Sequence, residues 1–282
     1  MTLSTTALLI DDAVNRGRAV PSFNVISLEH AEAIVSGADL VGVGVLLQLS
    51  ENAVKFHGEI RPILAACREL ASSARSPISI HLDHFESVSL IDEAIALGAD
   101  FGLGSLMVDA STEPYERNVA LTASAVSRGH SAGLWIEAEL GEVGGKDGAH
   151  IPGVRTDPLH AALFVDATGI DGLAVAVGSS HAMTEQTAAL DFDLIAQLAA
   201  AVPVPLVLHG SSGVSDVALR EAIAAGVRKV NIGTGLNMAF TAEVRTVLDS
   251  SGSLTDPRHY LAPARDRVSE LVAHLCEVIA GG

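Results

Sequence analysis

Ile78-Ser79-Ile80-His81-Leu82-Asp83, then Leu90-Ile91-Asp92-Glu93-Ala94-Ile95-Ala96-Leu97-Gly98, then Asp100-Phe101-Gly102-Leu103-Gly104 read as a strand, a helix with a glycine at its end, and a second strand. Working outward, the same alternation continues in both directions. Further β-like runs occupy Ala19 to Asn24, Val43 to Leu49, Leu134 to Glu139, Gly172 to Val177, Leu206 to His209 and Lys229 to Ile232, which makes eight. Several are continuous apolar runs, as parallel strands covered on their outer side require. Ala-rich amphipathic stretches lie between them, for example Val217 to Ala225, which Gly226 follows. Eight βα units in 282 residues match a (β/α)8 TIM barrel, which typically needs about 250 residues. We expect one α/β domain over residues 1–282. An open doubly wound sheet is the competitor, but no Gly-x-Gly-x-x-Gly opens the first helix.

Apolar residues make up 49% of the chain and charged residues 18%, enough for a large core and too apolar for disorder. A formal net charge of -17 argues against nucleic-acid binding, which needs clustered Lys and Arg. No run of about 18 uncharged apolar residues calls for a membrane span. The N-terminus lacks the basic flank and apolar stretch of a secretory signal. These readings predict a cytoplasmic protein with no membrane or nucleic-acid partner. Cys67 and Cys276 sit in helical patterns far apart and read as buried thiols.

In a barrel of this kind the chemistry gathers where strands end and βα loops begin. Polar residues stand there at nearly every strand: Asn24, Gln48 and Ser50, Asp83 and His84, Ser105 and Asp109, Glu137 and Glu139, His181, His209, and Asn231. Each histidine alone reads most simply as a hydrogen-bonded side chain. Together, His84, His181 and His209 come from three strand ends and can converge on one ion, and three neutral imidazoles with an open position make a catalytic zinc site. Glu137 and Glu139 are two residues apart in a strand, so both leave the same face. Carboxylates inside a barrel are costly unless paired or metal-bound, which leaves a buried ion pair or a metal ligand. The segment from Gly141 to Gly148 reads as a mobile loop over the mouth. Gly210-Ser211-Ser212-Gly213 and Asn231-Ile232-Gly233-Thr234-Gly235 have the small residues of tight turns or of anion cradles, at the usual phosphate position of such barrels.

Pro21-Ser22-Phe23-Asn24, His81-Leu82-Asp83-His84, Glu137-Ala138-Glu139-Leu140-Gly141, Gly178-Ser179-Ser180-His181, His209-Gly210-Ser211-Ser212-Gly213 and Lys229-Val230-Asn231-Ile232 together resemble the class II fructose-bisphosphate and tagatose-bisphosphate aldolases. The resemblance covers essentially the whole chain. It implies that His84, His181 and His209 hold a catalytic Zn2+, that Asp83 is the general acid/base, and that Glu139 is a carboxylate able to take displaced metal. It also implies a phosphorylated sugar substrate whose phosphate rests on Ala182, Gly210, Ser211, Ser212, Asn231, Gly233 and Thr234 beside a monovalent cation such as Na+ or K+. Asn24 and Ser50 become further substrate contacts, and Glu142 or Asp147 of the loop the second proton carrier. Such enzymes are usually homodimers or homotetramers.

The sequence departs from the family pattern at Ala182 and Ser211, where glycines are common, at Gly233, where an aspartate often stands, and at Lys146-Asp147, where an acidic pair is common. A ketose with one phosphate or none is therefore the alternative substrate. Schiff-base chemistry would need a barrel lysine. The three lysines are Lys55 on a helix, Lys146 in the loop and Lys229 at the opening end of the eighth strand, none well placed. A metal-dependent hydrolase or epimerase could use the same ligands. A non-catalytic partner barrel should have lost Asp83 or a zinc histidine, and this chain keeps all four.

Overall fold

The computed structural model describes residues 3–141, 155–180 and 183–281. Among them, eight parallel strands close into a barrel in sequence order: β1 (Val20–Asn24), β2 (Val45–Ser50), β3 (Ile78–Phe85), β4 (Leu103–Val108), β5 (Trp135–Glu139), β6 (Gly172–Ala174), β7 (Leu206–Leu208) and β8 (Val227–Ile232), which pairs back to β1. The helices are α1 (Thr6–Asn15), α2 (Leu28–Val41), α3 (Glu51–His57), α4 (Arg61–Ser73), α5 (Val88–Phe101), α6 (Tyr115–Ser131), α7 (Pro158–Thr168), α8 (Phe192–Ala201), α9 (Asp216–Ala225), α10 (Thr234–Ser250) and α11 (Arg258–Ala280). The protein is a single-domain (β/α)8 barrel. No helix among the described residues is long and apolar enough to cross a membrane.

Successive side chains on a strand point to opposite faces, and here that alternation divides the molecule. Val45, Leu47 and Leu49, Ile78, Ile80 and Leu82, and Ile136 and Ala138 face outward into the main core beneath the helices. A smaller apolar cluster, with Val20, Leu46, Met107, Trp135 and Val207 from the strands and Ile10 and Ala13 from α1, fills the lower interior. Helix α1 closes the floor. Its buried Thr6 hydroxyl hydrogen-bonds Ser79 at 2.9 Å and Ser105 at 2.6 Å, low on β3 and β4. Cys67 and Cys276 are buried free thiols, both pushed up to about 12, chiefly by burial.

The fourth strand is Leu103–Val108, not Asp100 to Gly104. Helix α5 runs through Gly98, where a bare Cα packs close to Leu134, and stops only at Gly102, whose φ of 65° is the left-handed conformation that ends helices. Strand β8 begins two residues earlier than the apolar run suggests, so Lys229 is its third residue rather than its opening one. Strands β6 and β7 are shorter than read, and His209 lies just beyond β7.

Packing inside the barrel leaves little slack beside the single tryptophan. A Cβ on Gly172 would stand 2.2 Å from the Trp135 ring. Gly172→Ala is therefore expected to lower stability by about 1–3 kcal/mol, as overpacking does. A urea titration followed by Trp135 emission measures it, and an unchanged midpoint would show that the ring moves aside freely.

Candidate active site

The inward-facing alternation brings the polar residues of the upper strands to the barrel mouth: Asn24, Gln48, Asp83, Glu137, Glu139 and Asn231 share that face. His84, next to Asp83, should point outward by the same rule. It does not, because it adopts φ 52°, the only positive value at a described non-glycine residue. The β3–β4 register also shifts between Leu82 and Phe85. This local irregularity turns the imidazole back over the mouth, the kind of re-aiming that bulges provide at functional sites.

Two imidazoles then meet. His84 Nε2 and His209 Nδ1 are 2.9 Å apart, with the rings edge to face. On its far side each ring is tied to a carboxylate: His84 Nδ1 to Asp109 Oδ2 at 2.7 Å, and His209 Nε2 to Glu137 Oε1 at 2.9 Å. A carboxylate accepts, so each of these nitrogens carries its ring's proton and the facing pair presents two lone pairs to one point. Only a cation or a shared proton suits that point. The Asp83 carboxylate lies within 3.9 Å of His84 Nε2, and ligand atoms of Asp83, His84 and His209 all fall within 4.8 Å of one another. A second group of the same size joins His84, Asp109 and Glu139. Nitrogen and oxygen donors backed by carboxylates fit a borderline divalent ion such as zinc.

Beneath the histidines, Glu137 and Lys229 are both fully buried and pair at 2.8 Å. Burial alone would raise the Glu137 carboxyl, but the Lys229 ammonium and the His209 hydrogen bond outweigh it and hold the group well below the ordinary carboxylate range. Burial first, and the Lys229 charge second, push His81 well below its ordinary value, so its ring is neutral.

The pocket beside Asp83 and His209 is walled by carboxamides (Asn24, Gln48, Asn231, Asn237) and by the loops after β7 and β8. Gly210, at φ 68°, opens a short 3-10 turn, Ser211–Gly213, and packs against the Ser180 backbone. The Gly235 amide donates to Ser212 Oγ at 2.9 Å, which joins the two loops where α10 begins. Free backbone N–H groups at such a start favour an anion.

A family model described as "Fructose-bisphosphate aldolase class-II" matches residues 4–281. The chain belongs to that family. Its members are metal-dependent aldolases, and the protein is accordingly an enzyme of the aldolase (lyase) type. The YdjI aldolase from Escherichia coli K12 is 31% identical over 98% of this chain and 97% of its own, with a TM-score of 0.83. A putative fructose-1,6-biphosphate aldolase from Coccidioides immitis is 29% identical over 98% and 96%, with a TM-score of 0.87. Fructose-bisphosphate aldolase (Fba) from Campylobacter jejuni, 22% identical over 97% and 93% with a TM-score of 0.83, shares the fold.

In this aldolase the structure brings together Asp83, His84, His209 and Asn231, with Glu139 close to His84, and lines the adjoining pocket with Asn24, Gly210, Ser211, Ser212, Gly233 and Thr234. His181, Ala182, Glu142 and Asp147 lie outside the described residues. Ser50 ends β2 and accepts from the Ala53 amide at 3.1 Å, which makes it the cap of α3 rather than part of the pocket wall. At Gly233 a Cβ would stand 3.0 Å from Asn24 Cγ. The Asn24 carboxamide, held by Gln48 Nε2 at 2.8 Å, occupies that space. Glu137 proves to be the buried ion-pair member of the two acids on β5. Asp109, Glu137 and Lys229 had no catalytic role in the sequence reading. Their signal was the period of two: Glu137 shares a face with Glu139, and Lys229 with Asn231.

Asp109 is itself pinned, accepting from Ser111 Oγ at 2.6 Å, so it sets the His84 ring rigidly. Asp109→Ala is expected to weaken divalent-metal affinity by roughly 10–100-fold, the usual effect of losing a ligand's carboxylate partner. Competition with a chromophoric chelator reads this directly, and an undiminished affinity would mean that His84 is oriented by other contacts.

Proposed function

We propose that the protein is a zinc-dependent aldolase that cleaves and forms a phosphorylated ketose of the fructose- or tagatose-bisphosphate kind, yielding dihydroxyacetone phosphate and an aldehyde such as glyceraldehyde 3-phosphate. The facing lone pairs of His84 and His209, each backed by a buried carboxylate with Asp83 alongside, carry this reading. His84, His209 and His181 would hold the ion, and Glu139 would take it when it shifts. When bound, zinc supplies Lewis acidity at the ketone and the adjacent hydroxyl. In cleavage, Asp83 accepts the proton of the hydroxyl across the scissile bond while Asn231 Nδ2, 3.3 Å from Asp83 Oδ1, steadies it. Glu142 or Asp147 returns a proton to the new carbanion, and synthesis runs the steps backward. The phosphate would rest against Ser211, Ser212 and the start of α10, and the family resemblance adds Ala182 and a monovalent cation to its contacts. The same reading makes the enzyme a homodimer or homotetramer in the cytoplasm, where thiols such as Cys67 and Cys276 stay reduced.

Asp83→Ala should fold and retain zinc, while kcat falls roughly 10²–10⁴-fold, the range for a lost general base, and KM changes far less. Metal content and kcat on the purified variant decide it. Loss of zinc along with activity would make Asp83 a ligand, and a near-normal kcat would remove it from the mechanism.

Dialysis against a chelator should abolish cleavage, and zinc or cobalt should restore it. Full activity of the metal-free protein would sink the assignment. A panel of ketose bisphosphates, monophosphates and free ketoses, assayed for the aldehyde released, phosphorylated or not, identifies the substrate. Equal kcat/KM for a free ketose would make the phosphate site a misreading and turn the departures at Ser211 and Gly233 into its cause.

A further inference from the structure

Lys229 is fully buried in the middle of the barrel, below every group assigned to the reaction. Its Nζ donates to Glu137 Oε2 at 2.8 Å and to Asn231 Oδ1 at 2.8 Å, and it lies 3.4 Å from His81 Nε2. An ammonium has three N–H groups and no acceptor, so the direction of each bond is fixed. Asn231 must turn its oxygen to the lysine, which leaves its NH2 for Asp83 Oδ1 at 3.3 Å. With the amide reversed, oxygen would face carboxylate. Glu137 gives Oε2 to Lys229 and Oε1 to the N–H of His209 Nε2, so it is Nδ1 of His209 that faces His84. Asn231 Nδ2 also lies 3.2 Å from His209 Nε2, but both atoms are donors in this arrangement and the amide stays committed to Asp83.

We propose that Lys229 is a positioning residue of the aldolase reaction: through Asn231 it aims the Asp83 carboxylate, and through Glu137 it selects the nitrogen that His209 presents to the metal. It touches neither substrate nor reacting atoms. The proposal rests on the aldolase reading of this site. A purely structural lysine would only neutralise Glu137, and the two roles separate experimentally.

Lys229→Met leaves a buried carboxylate unpaired and destabilises the protein under either role. Lys229→Met/Glu137→Gln removes both charges together. If Lys229 positions, the doubly neutral protein folds with a Tm near that of the wild type, yet its kcat at saturating zinc falls roughly 10–100-fold with KM little changed; its zinc affinity falls in either case, because Glu137→Gln removes the carboxylate behind His209. Asn231→Ala alone should show the kcat loss, and adding it to the double variant should cost little more, because both act on Asp83. A folded double variant with wild-type kcat at saturating zinc would overturn the proposal, as would a triple variant whose loss is the product of the separate losses. Lys229→Arg covers the case in which the neutral pair does not fold. It keeps the charge beside Glu137 but presents a planar fork in place of three tetrahedral donors. It should lose kcat while it binds zinc, and a wild-type kcat would overturn the claim. If the wild type cleaves no ketose, the substrate reading fails, and the zinc affinity of Lys229→Arg, which keeps the Glu137 carboxylate, still decides the role of Lys229: a several-fold loss supports it and a wild-type value overturns it.

Discussion

A carboxylate and an ammonium, neither with any access to water, lie side by side halfway up the barrel. Removing two charges from water costs several kcal/mol per ion, and a bare pair does not recover that reliably. The surroundings show how this one is kept: Glu137 has a histidine on its second oxygen, and Lys229 has a carboxamide and a neutral histidine on its remaining protons. Every element that meets there is constrained in turn. Strands β3, β5, β7 and β8 must hold their register closely enough for bonds of 2.8 to 3.4 Å to span the interior. The interior therefore has a lower part of apolar side chains threaded by the Thr6, Ser79 and Ser105 hydroxyls, a charged middle and a polar mouth.

Much of this was legible in the sequence. Eight alternating units mark the barrel, and polar residues at strand ends mark Asp83, His84 and His209. Local conformation was less legible. Gly98 and Gly102 are both plausible helix ends, and only the packing of Gly98 against Leu134 and the left-handed backbone of Gly102 show that the chain passes the first and stops at the second. The same two-residue ambiguity at the start of β8 moved Lys229 from an idle lower position to the centre of the hydrogen-bond network.

His84 marks a different limit. Strand alternation, applied strictly, would have sent it outward beneath the helices. Its inward aim depends on a left-handed backbone at a residue with a full side chain, and no propensity predicts that. The carboxylate behind it, Asp109, comes from the neighbouring strand, so the partnership exists only once β3 and β4 are paired with their shift in register. Residues that act through another residue leave a weaker trace in sequence than those that act directly, since their type is common and their meaning lies in who stands opposite.

The floor helix has a consequence for the mouth. From Lys229 a line of donors and acceptors descends through His81 and the Ser105 hydroxyl, 2.8 Å from its ring, to Thr6 in α1 and on to Ser79. The ammonium can only give, so every proton on that line points downward, and Ile10 and Ala13 seal the base around its end. Helix α1 thus works as a stopper beneath the chamber above. If it were lifted, solvent would rise to the ion pair from below, weaken its hold on both partners, and loosen Asp83 and His209 without any change at the mouth itself.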